Sequence, residues 1–281
     1  MSGREHGTTA SGMTVSGRAA PAADTSTTLE VLYHDAQVVV VNKPSGLLVH
    51  RSPIDRHERR FAVQVLRDQL GQRVHPLHRL DKGTSGALAF ALDRDSAATL
   101  AAAFADGRVA KTYLSIVRGW PEDSGVIEHA LEPVADDYVP TTGRAAQAAR
   151  TVFRTRARVE LPVRVDRYPT ARYALVELEP DTGRRHQLRR HLVHISHPII
   201  GDSTYGKGRH NRLFAERYGV RRLLLACVRL AFDHPATGVR VEVHADPGPE
   251  FAVLARAFGW AAGVAEEAAA VPAEGLSPAL P

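Results

Sequence analysis

The sequence predicts an α+β domain built on a mixed, largely antiparallel sheet with flanking helices. Segments with the pattern of strands outnumber those with the pattern of helices, and most of them follow one another directly. The regular strand–helix alternation of a doubly wound parallel sheet is missing. With 281 residues, of which 44% are hydrophobic, the chain is long enough to bury a core of its own.

Apolar runs that are rich in β-branched residues and bounded by turn residues predict the strands. The run at residues 38–41 is an example, because Lys43, Pro44 and Gly46 follow it and end it. Strands are predicted over residues 29–35, 38–41, 87–92, 109–117, 126–131, 151–159, 172–178, 223–232 and 239–244.

Four segments have the spacing of apolar residues that is typical of helices. In the clearest of them, Leu188, Leu192 and Ile195 form one apolar stripe. Asp95 or Ser96 is predicted to cap another helix at its N-terminal end. Helices are predicted over residues 61–70, 95–106, after a turn within 182–198, and from 249 onward.

The ends of the chain differ from its middle. Residues 1–28 are small and polar and residues 263–281 are rich in Ala and Pro, so both are predicted to be disordered tails. Residues 29–262 are predicted to form one catalytic domain. No apolar run reaches membrane-spanning length, no secretory signal is recognisable, and Cys227 has no cysteine partner. These observations predict a cytoplasmic protein.

Positive charge is concentrated in one span. The net charge is +5, and ten Lys/Arg stand against two acids between residues 184 and 222. Such a span suits a surface that follows the phosphates of a nucleic acid. Charge alone does not separate this interpretation from an ordinary solvated face.

Asp81 stands between the basic dipeptide His78-Arg79 and the turn residues Gly83 to Gly86. A lone aspartate beside a turn is usually a turn residue. Here the glycines allow the backbone to approach a ligand closely, and Arg79 shares a face with Asp81 if the segment is extended. Tyr113 alone suggests a half-buried strand tyrosine, and Arg189 alone a surface arginine.

Four histidines, at positions 186, 191, 194 and 197, raise the question of a metal site. No HExxH is present, and no Cys, Asp or Glu stands at ligand spacing in the helix. We therefore predict a structural or RNA-facing role for them and no metal. The nucleotide-binding patterns GxGxxG and GxxxxGK[ST] and the hydrolase pattern GxSxG are also missing.

Four segments together resemble the RluA-type family of pseudouridine synthases. They occur in the family's order over residues 29–260, and they read VVVVNKPSGLLVH, HRLDKGTSG, KTYLSIVRG and TGRRHQLRRHLVHISHPIIGDSTYG. The segments LVHRSPID, RYPTARYALVELEP and HPIIGDSTYGKGRHNR resemble the C-type branch of tRNA pseudouridine synthases. The resemblance implies the pseudouridine synthase fold, with a central cleft. For the branch it implies a uridine target in the T-arm stem of tRNA, position 65 in tRNA numbering.

The resemblance implies an isomerase that breaks the N1–C1′ bond of a uridine, rotates the uracil and rejoins it through C5. No cofactor is required. Asp81 would be the catalytic aspartate, and Tyr113 would pack on the base and help to remove the C5 proton. Arg189 would form a salt bridge to Asp81, and Arg79 would enter the RNA helix where the target base leaves it.

The predicted partner is tRNA, without a metal or a membrane, and the chain is expected to act as a monomer. Further RNA-binding residues are predicted at Lys111, Arg184, Arg185, Arg190, Lys207, Arg209 and Arg212. Three other interpretations stay open: a family member that acts on ribosomal RNA, a catalytically silent RNA-binding protein, and a hydrolase that uses Asp81. Relatives often have His-Ala where this chain has Ala226-Cys227, and we expect this pair to shape the strand beneath the site.

Overall fold

The structure, a computed structural model, describes residues 28–51, 58–134 and 145–260. The predicted tails lie outside these ranges except for Thr28, and so do residues 261–262 of the predicted domain. The strands are β1 (Glu30–His34), β2 (Val38–Lys43), β3 (His75–Pro76), β4 (Ser85–Ala91), β5 (Ala110–Arg118), β6 (Ser124–Glu128), β7 (Arg150–Leu161), β8 (Ala171–Pro180), β9 (Leu225–Asp233) and β10 (Arg240–His244). The helices are α1 (Ala62–Leu70), α2 (Arg94–Ala105), α3 (Gln187–His194), α4 (Gly208–Tyr218) and α5 (Pro249–Phe258).

The described strands form a single mixed sheet in the order β1-β2-β4-β9-β5-β8-β7-β6, with β10 paired to β9 and β3 to β4. The pairing of β4 with β9 is parallel, and the other pairings among the described strands are antiparallel. The predicted α+β class is confirmed, and nearly every predicted strand is present within a few residues of its expected bounds.

The two faces of the central strands build two separate cores. Along β9, Leu225 and Cys227 belong to the core that α1, α2 and α3 cover, whereas Ala226 and Val228 face the core under α4 and α5. This alternation follows from the two-residue period of a strand. Tyr113 faces the first core, so the predicted site lies on the side of the sheet that α3 covers.

Two predictions for the helices differ from the structure. Asp93, not Asp95 or Ser96, caps α2, because its carboxylate accepts a hydrogen bond from the backbone N–H of Ser96 at 2.8 Å. The sequence does not predict α4. That helix is mostly polar, and Phe214 and His210 are its buried side chains, so few apolar residues mark it in the sequence.

Candidate active site

An open groove lies where the loop before β4, the first residues of β5 and the N-terminal end of α3 meet. Two adjoining cavities of about 490 and 560 Å³ make up this groove. The residues that line both cavities are Arg79, Leu80, Asp81, Arg185, His186 and Arg189. Each cavity falls within the range of about 300–1,000 Å³ that is typical of small-ligand sites.

Asp81 is held by a turn that is hydrogen-bonded to itself and to its neighbours. The N–H of Thr84 donates to the carbonyl of Asp81 at 3.0 Å, and the N–H of Gly46 donates to the carbonyl of Lys82 at 2.7 Å. These bonds fix the backbone on both sides of the carboxylate. The side chain of Asp81 is 21% exposed and therefore accessible from the groove.

The parallel contact between β4 and β9 places this turn against the centre of the sheet. Ser85 lies opposite Ala226, and Gly86 lies opposite Cys227. A Cβ at position 86 would stand 2.0 Å from the carbonyl oxygen of Cys227, and the φ of Gly86 is +105°. Only glycine meets both conditions without strain. The second glycine of HRLDKGTSG thus brings the Asp81 turn into the sheet.

Asp81 and Arg189, which are 108 residues apart in sequence, form an ion pair in the groove. The Nη1 of Arg189 lies 3.1 Å from the Oδ2 of Asp81. The other two nitrogens of the guanidinium bind Asp202: Nε donates to Oδ2 at 2.7 Å, and Nη2 donates to Oδ1 at 2.8 Å. The ring of Tyr205 lies 5.0 Å from the guanidinium carbon. Arg189 is therefore fixed in one orientation, with one nitrogen left for Asp81.

Asp202 is a site residue that the sequence analysis missed, although it stands in the quoted segment HPIIGDSTYGKGRHNR. Its side chain is almost fully buried, and Oδ1 also accepts hydrogen bonds from the N–H groups of Thr204 and Tyr205. Burial opposes ionisation, but the hydrogen bonds from Arg189 and these N–H groups lower the pKa of Asp202. It therefore stays charged as the permanent partner of Arg189.

Tyr113 lines the groove on the side of the first cavity. Its side chain is nearly buried, and burial together with contact to the thiol of Cys227 raises its pKa well above the ordinary value. The hydroxyl is therefore protonated at neutral pH. Of the Ala226-Cys227 pair, Cys227 lies opposite Tyr113 in the β5–β9 pairing, whereas Ala226 faces the second core.

Lys43 is a second residue that the sequence analysis missed. It is fully buried at the end of β2, and its Nζ donates to the carbonyls of Pro44 at 2.9 Å and Leu47 at 2.7 Å, with Lys82 at 3.4 Å. Burial lowers the pKa of Lys43 to about 7, while the charge of Asp81 opposes this shift. Lys43 thus ties the loop after β2 to the residue that follows Asp81.

His78 and His186 line the groove together with Asp81, and burial lowers the pKa of both imidazoles. The Nε2 of His78 accepts a hydrogen bond from the N–H of Ala89 at 3.1 Å, and burial lowers its pKa to about 3. The pair His78-Arg79 therefore carries one positive charge, not two. The Nε2 of His186 lies 3.8 Å from Asp81, and its Nδ1 lies 3.0 Å from the hydroxyl of Tyr205.

The other three histidines of the predicted cluster make structural contacts away from the groove. His191 is buried between Thr151 and the carbonyl of His129, His194 stacks on the ring of His129 at 3.8 Å, and His197 contacts the carbonyl of Arg118. Across residues 28–51, 58–134 and 145–260, no group of three His, Cys, Asp or Glu could hold a metal ion. No described helix is both long and apolar enough to cross a membrane.

The predicted RNA-binding residues fall into two groups. Arg79, Lys111, Arg184 and Arg185 line the groove, together with Asp81. Four others do not line either cavity: Arg190, which donates to the carbonyl of Glu132, and Lys207, Arg209 and Arg212, which lie at the start of α4 or on it. The basic span of residues 184–222 is therefore not one continuous surface.

The comparisons with known proteins agree with this geometry. The family model described as RNA pseudouridylate synthase matches residues 37–194, more than half of the chain. The chain belongs to this family. The match includes the Asp81 turn, Tyr113 and α3 with Arg189.

Similar proteins support the assignment over most of the chain. It is 47% identical over 235 residues to tRNA pseudouridine synthase C of Vibrio vulnificus, covering 83% of this chain and 96% of that protein. The protein of that name from Pasteurella multocida is 46% identical over 236 residues, with 83% and 97% covered. The solved structure of human RNA pseudouridylate synthase domain containing 1 has a TM-score of 0.60 at 28% identity, covering 79% and 84%. The predicted family, fold and isomerase activity are confirmed.

Proposed function

We propose that this pseudouridine synthase acts on tRNA and that its target is the uridine at position 65 of the T-arm stem. The names of its bacterial relatives support tRNA as the substrate. The observation that carries the catalytic assignment is the Asp81–Arg189 ion pair, which lies open to the groove at 3.1 Å. An ionised carboxylate at this place can reach the sugar of a nucleotide that enters the groove.

Asp81 acts on the ribose, either at C1′ or by removing a proton from C2′. In both cases the N1–C1′ bond breaks, the uracil turns, and a C5–C1′ bond forms. The reaction balances without an oxidant or a cofactor, because the proton lost from C5 is matched by one gained at N1. Arg189 keeps Asp81 in place and supplies its counter-charge. Tyr113 packs on the uracil, and its protonated hydroxyl takes part in transferring the C5 proton.

The target uridine must leave the stem before it can react. Extrusion of a paired base costs a few kcal/mol in lost stacking and pairing. Arg79 is exposed and lines both cavities, so its guanidinium can fill the gap in the helix. Stacking of the extruded base on Tyr113 offsets a further part of the cost. Lys111, Arg184 and Arg185 supply positive charge for the flanking phosphates.

The test is to incubate the purified protein with unmodified tRNA and, separately, with unmodified ribosomal RNA, and to map pseudouridine by carbodiimide treatment and primer extension. One stop in the T-arm stem, lost in Asp81→Asn while tRNA binding persists, supports the proposal. A stop only in ribosomal RNA would identify the other substrate class. Binding without any stop would identify a silent RNA-binding protein, and release of free uracil would identify a hydrolase.

A further inference from the structure

A second surface rich in arginine lies at the end of β5 and β8 that is remote from the groove. In this pairing Tyr113 lies opposite Leu178, and Arg118 lies opposite Tyr173. Arg118 lies five positions beyond Tyr113 along the strand, a distance of about 17 Å. We define the hairpin surface as the following residues on the end of β5 and on the β7–β8 hairpin: Arg118, Trp120, Arg164, Arg167, Tyr168 and Arg172.

The hairpin surface holds both aromatic side chains that are exposed within the described part of the chain. Trp120 is 38% exposed and Tyr168 is 57% exposed. An arginine lies over each ring. The guanidinium carbon of Arg172 is 4.3 Å from the centre of the Trp120 ring, and that of Arg167 is 4.6 Å from the centre of the Tyr168 ring. Exposed rings next to guanidinium groups are the combination with which proteins stack on bases and contact phosphates.

The two carboxylates of this region orient its arginines. Asp166 lies 3.7 Å from Arg118 and 3.6 Å from Arg209, and Glu160 lies 3.2 Å from Arg172. These arginines are therefore held in position before any ligand arrives. Ordering them in advance reduces the entropy that binding must overcome.

Helix α4 joins the hairpin surface to the groove. On one side Arg209 reaches Asp166 of the hairpin. On the other side Asn211 donates to the carbonyl of Asp202 at 2.9 Å and accepts from the N–H of Gly201 at 2.8 Å. Because Asp202 holds Arg189, one short helix sets the distance between the catalytic pair and the second surface.

We propose that the hairpin surface is a second RNA-binding site, which contacts the tRNA outside the stem that holds the target uridine. The proposal rests on the tRNA substrate proposed above. The arginines contact phosphates, and Trp120 and Tyr168 stack on unpaired bases. We commit to RNA because the proposed substrate is RNA, whose phosphates match the arginines and whose bases match the two exposed rings.

The decisive variant is the triple substitution Arg164→Gln, Arg167→Gln and Tyr168→Ala. Its matched control is Arg67→Gln, Val239→Ala and Arg240→Gln, which removes two exposed arginines and one exposed apolar side chain from α1, β10 and the residue before β10. Both proteins are measured for binding to full-length unmodified tRNA and to an isolated T-arm stem-loop, over a series of salt concentrations. Thermal unfolding verifies that both are folded.

The triple variant is expected to bind full-length tRNA about tenfold more weakly, with the slope of log Kd against log salt reduced by about 2. Its Kd for the stem-loop and its kcat should equal those of the control. Unchanged affinity for full-length tRNA overturns the proposal, and so does an equal loss with both RNAs. A change in sedimentation without a change in RNA affinity identifies a protein–protein surface instead, which also overturns it.

The outcomes separate this proposal from the proposed function. If the wild type binds tRNA and the triple variant does not, while neither forms pseudouridine, the substrate assignment fails and the second surface stands. If the wild type modifies tRNA and the triple variant matches it, only the second surface fails. A wild type that binds no tRNA overturns both.

Fluorescence of Trp120 gives a direct reading of base stacking. The chain has two tryptophans, so Trp260→Phe leaves Trp120 as the reporter. Its emission is expected to be quenched by full-length tRNA and not by the stem-loop. Equal emission with and without tRNA would show that no base stacks on Trp120 and would overturn that part of the proposal.

Discussion

Arginine serves two different physical purposes in the groove and on the hairpin surface. The side chain of Arg189 is 9% exposed and lies between two carboxylates. Arg209, which lies on α4 beside the hairpin surface, has a side chain that is 74% exposed and lies 3.6 Å from one carboxylate. Buried ion pairs fix geometry, and removing one partner leaves an uncompensated charge. Exposed pairs contribute little to stability and are weakened by salt. The groove is therefore built for orientation, and the outer surface for attraction.

Replacing Arg189 should have the largest effect. Arg189→Ala leaves Asp202 buried without its partner and Asp81 without its counter-charge. Loss of the buried partner should lower the free energy of unfolding by about 3–5 kcal/mol. We expect kcat/KM for tRNA to fall about 10³-fold, measured as pseudouridine formed per unit time. Arg189→Lys keeps the charge but not the planar fork, so it should remain strongly impaired. Near-normal turnover in Arg189→Lys would show that charge alone suffices.

Tyr113→Phe should have the next largest effect. The substitution removes a hydroxyl whose raised pKa keeps it protonated and preserves the ring that stacks on the base. Loss of a positioned proton donor or acceptor costs about 10²-fold in kcat. The Kd for tRNA should stay within about twofold of the wild type, because stacking is retained. Equal losses in kcat and affinity would contradict this division of roles.

The lowered pKa of Lys43 predicts that the stability of the fold depends on pH. Its pKa in the folded chain is about 7, below the ordinary 10.5, so the unfolded chain binds more protons between these values. Stability from Lys43 therefore rises with pH through this window. Above pH 9 the raised pKa of Cys227, about 12, acts in the opposite direction. From pH 7 to pH 9, the unfolding free energy of the wild type should rise by about 2 kcal/mol relative to Lys43→Met.

Urea unfolding followed by tryptophan fluorescence measures this difference at the two pH values. Lys43→Met removes the titrating group and retains much of the buried stem, so effects of other groups cancel in the comparison. A pH-independent difference between the two proteins would mean that Lys43 stays protonated in the folded chain throughout this range, so that burial does not lower its pKa to about 7.

The strands and the Asp81–Arg189 ion pair could be predicted from the sequence, but the residues that hold this pair in place could not. Asp81 and Arg189 stand in recognisable motifs, so the resemblance joins them across 108 residues. Lys43 is the last residue of β2 and precedes a proline, a place where lysine usually faces solvent. Its burial depends on carbonyls of the 44–47 loop and of Lys82, which only the folded chain brings together.

The same reason explains the missed helix and the divided basic span. The burial of α4 depends on Phe214 and on His210, which meets the hydroxyl of Tyr173 at 2.8 Å. No local sequence pattern predicts a contact between side chains that are so far apart in sequence. Helix α4 covers the face of the sheet opposite Tyr113. Its basic side chains therefore lie outside the groove, even though they are close to Arg189 in sequence.

Replacing Arg209 should have the smallest effect and gives the clearest contrast with Arg189. Arg209→Gln removes an exposed charge, so we expect Kd for tRNA to rise about two- to threefold at low salt, with kcat unchanged. At 1 M salt the Debye length is about 3 Å, and the difference from the wild type should disappear. Arg240→Gln, an exposed arginine outside both surfaces, is the control. A defect of Arg209→Gln that persisted in high salt would show that this side chain orients the RNA as Arg189 orients Asp81, and the division between the two regions would no longer hold.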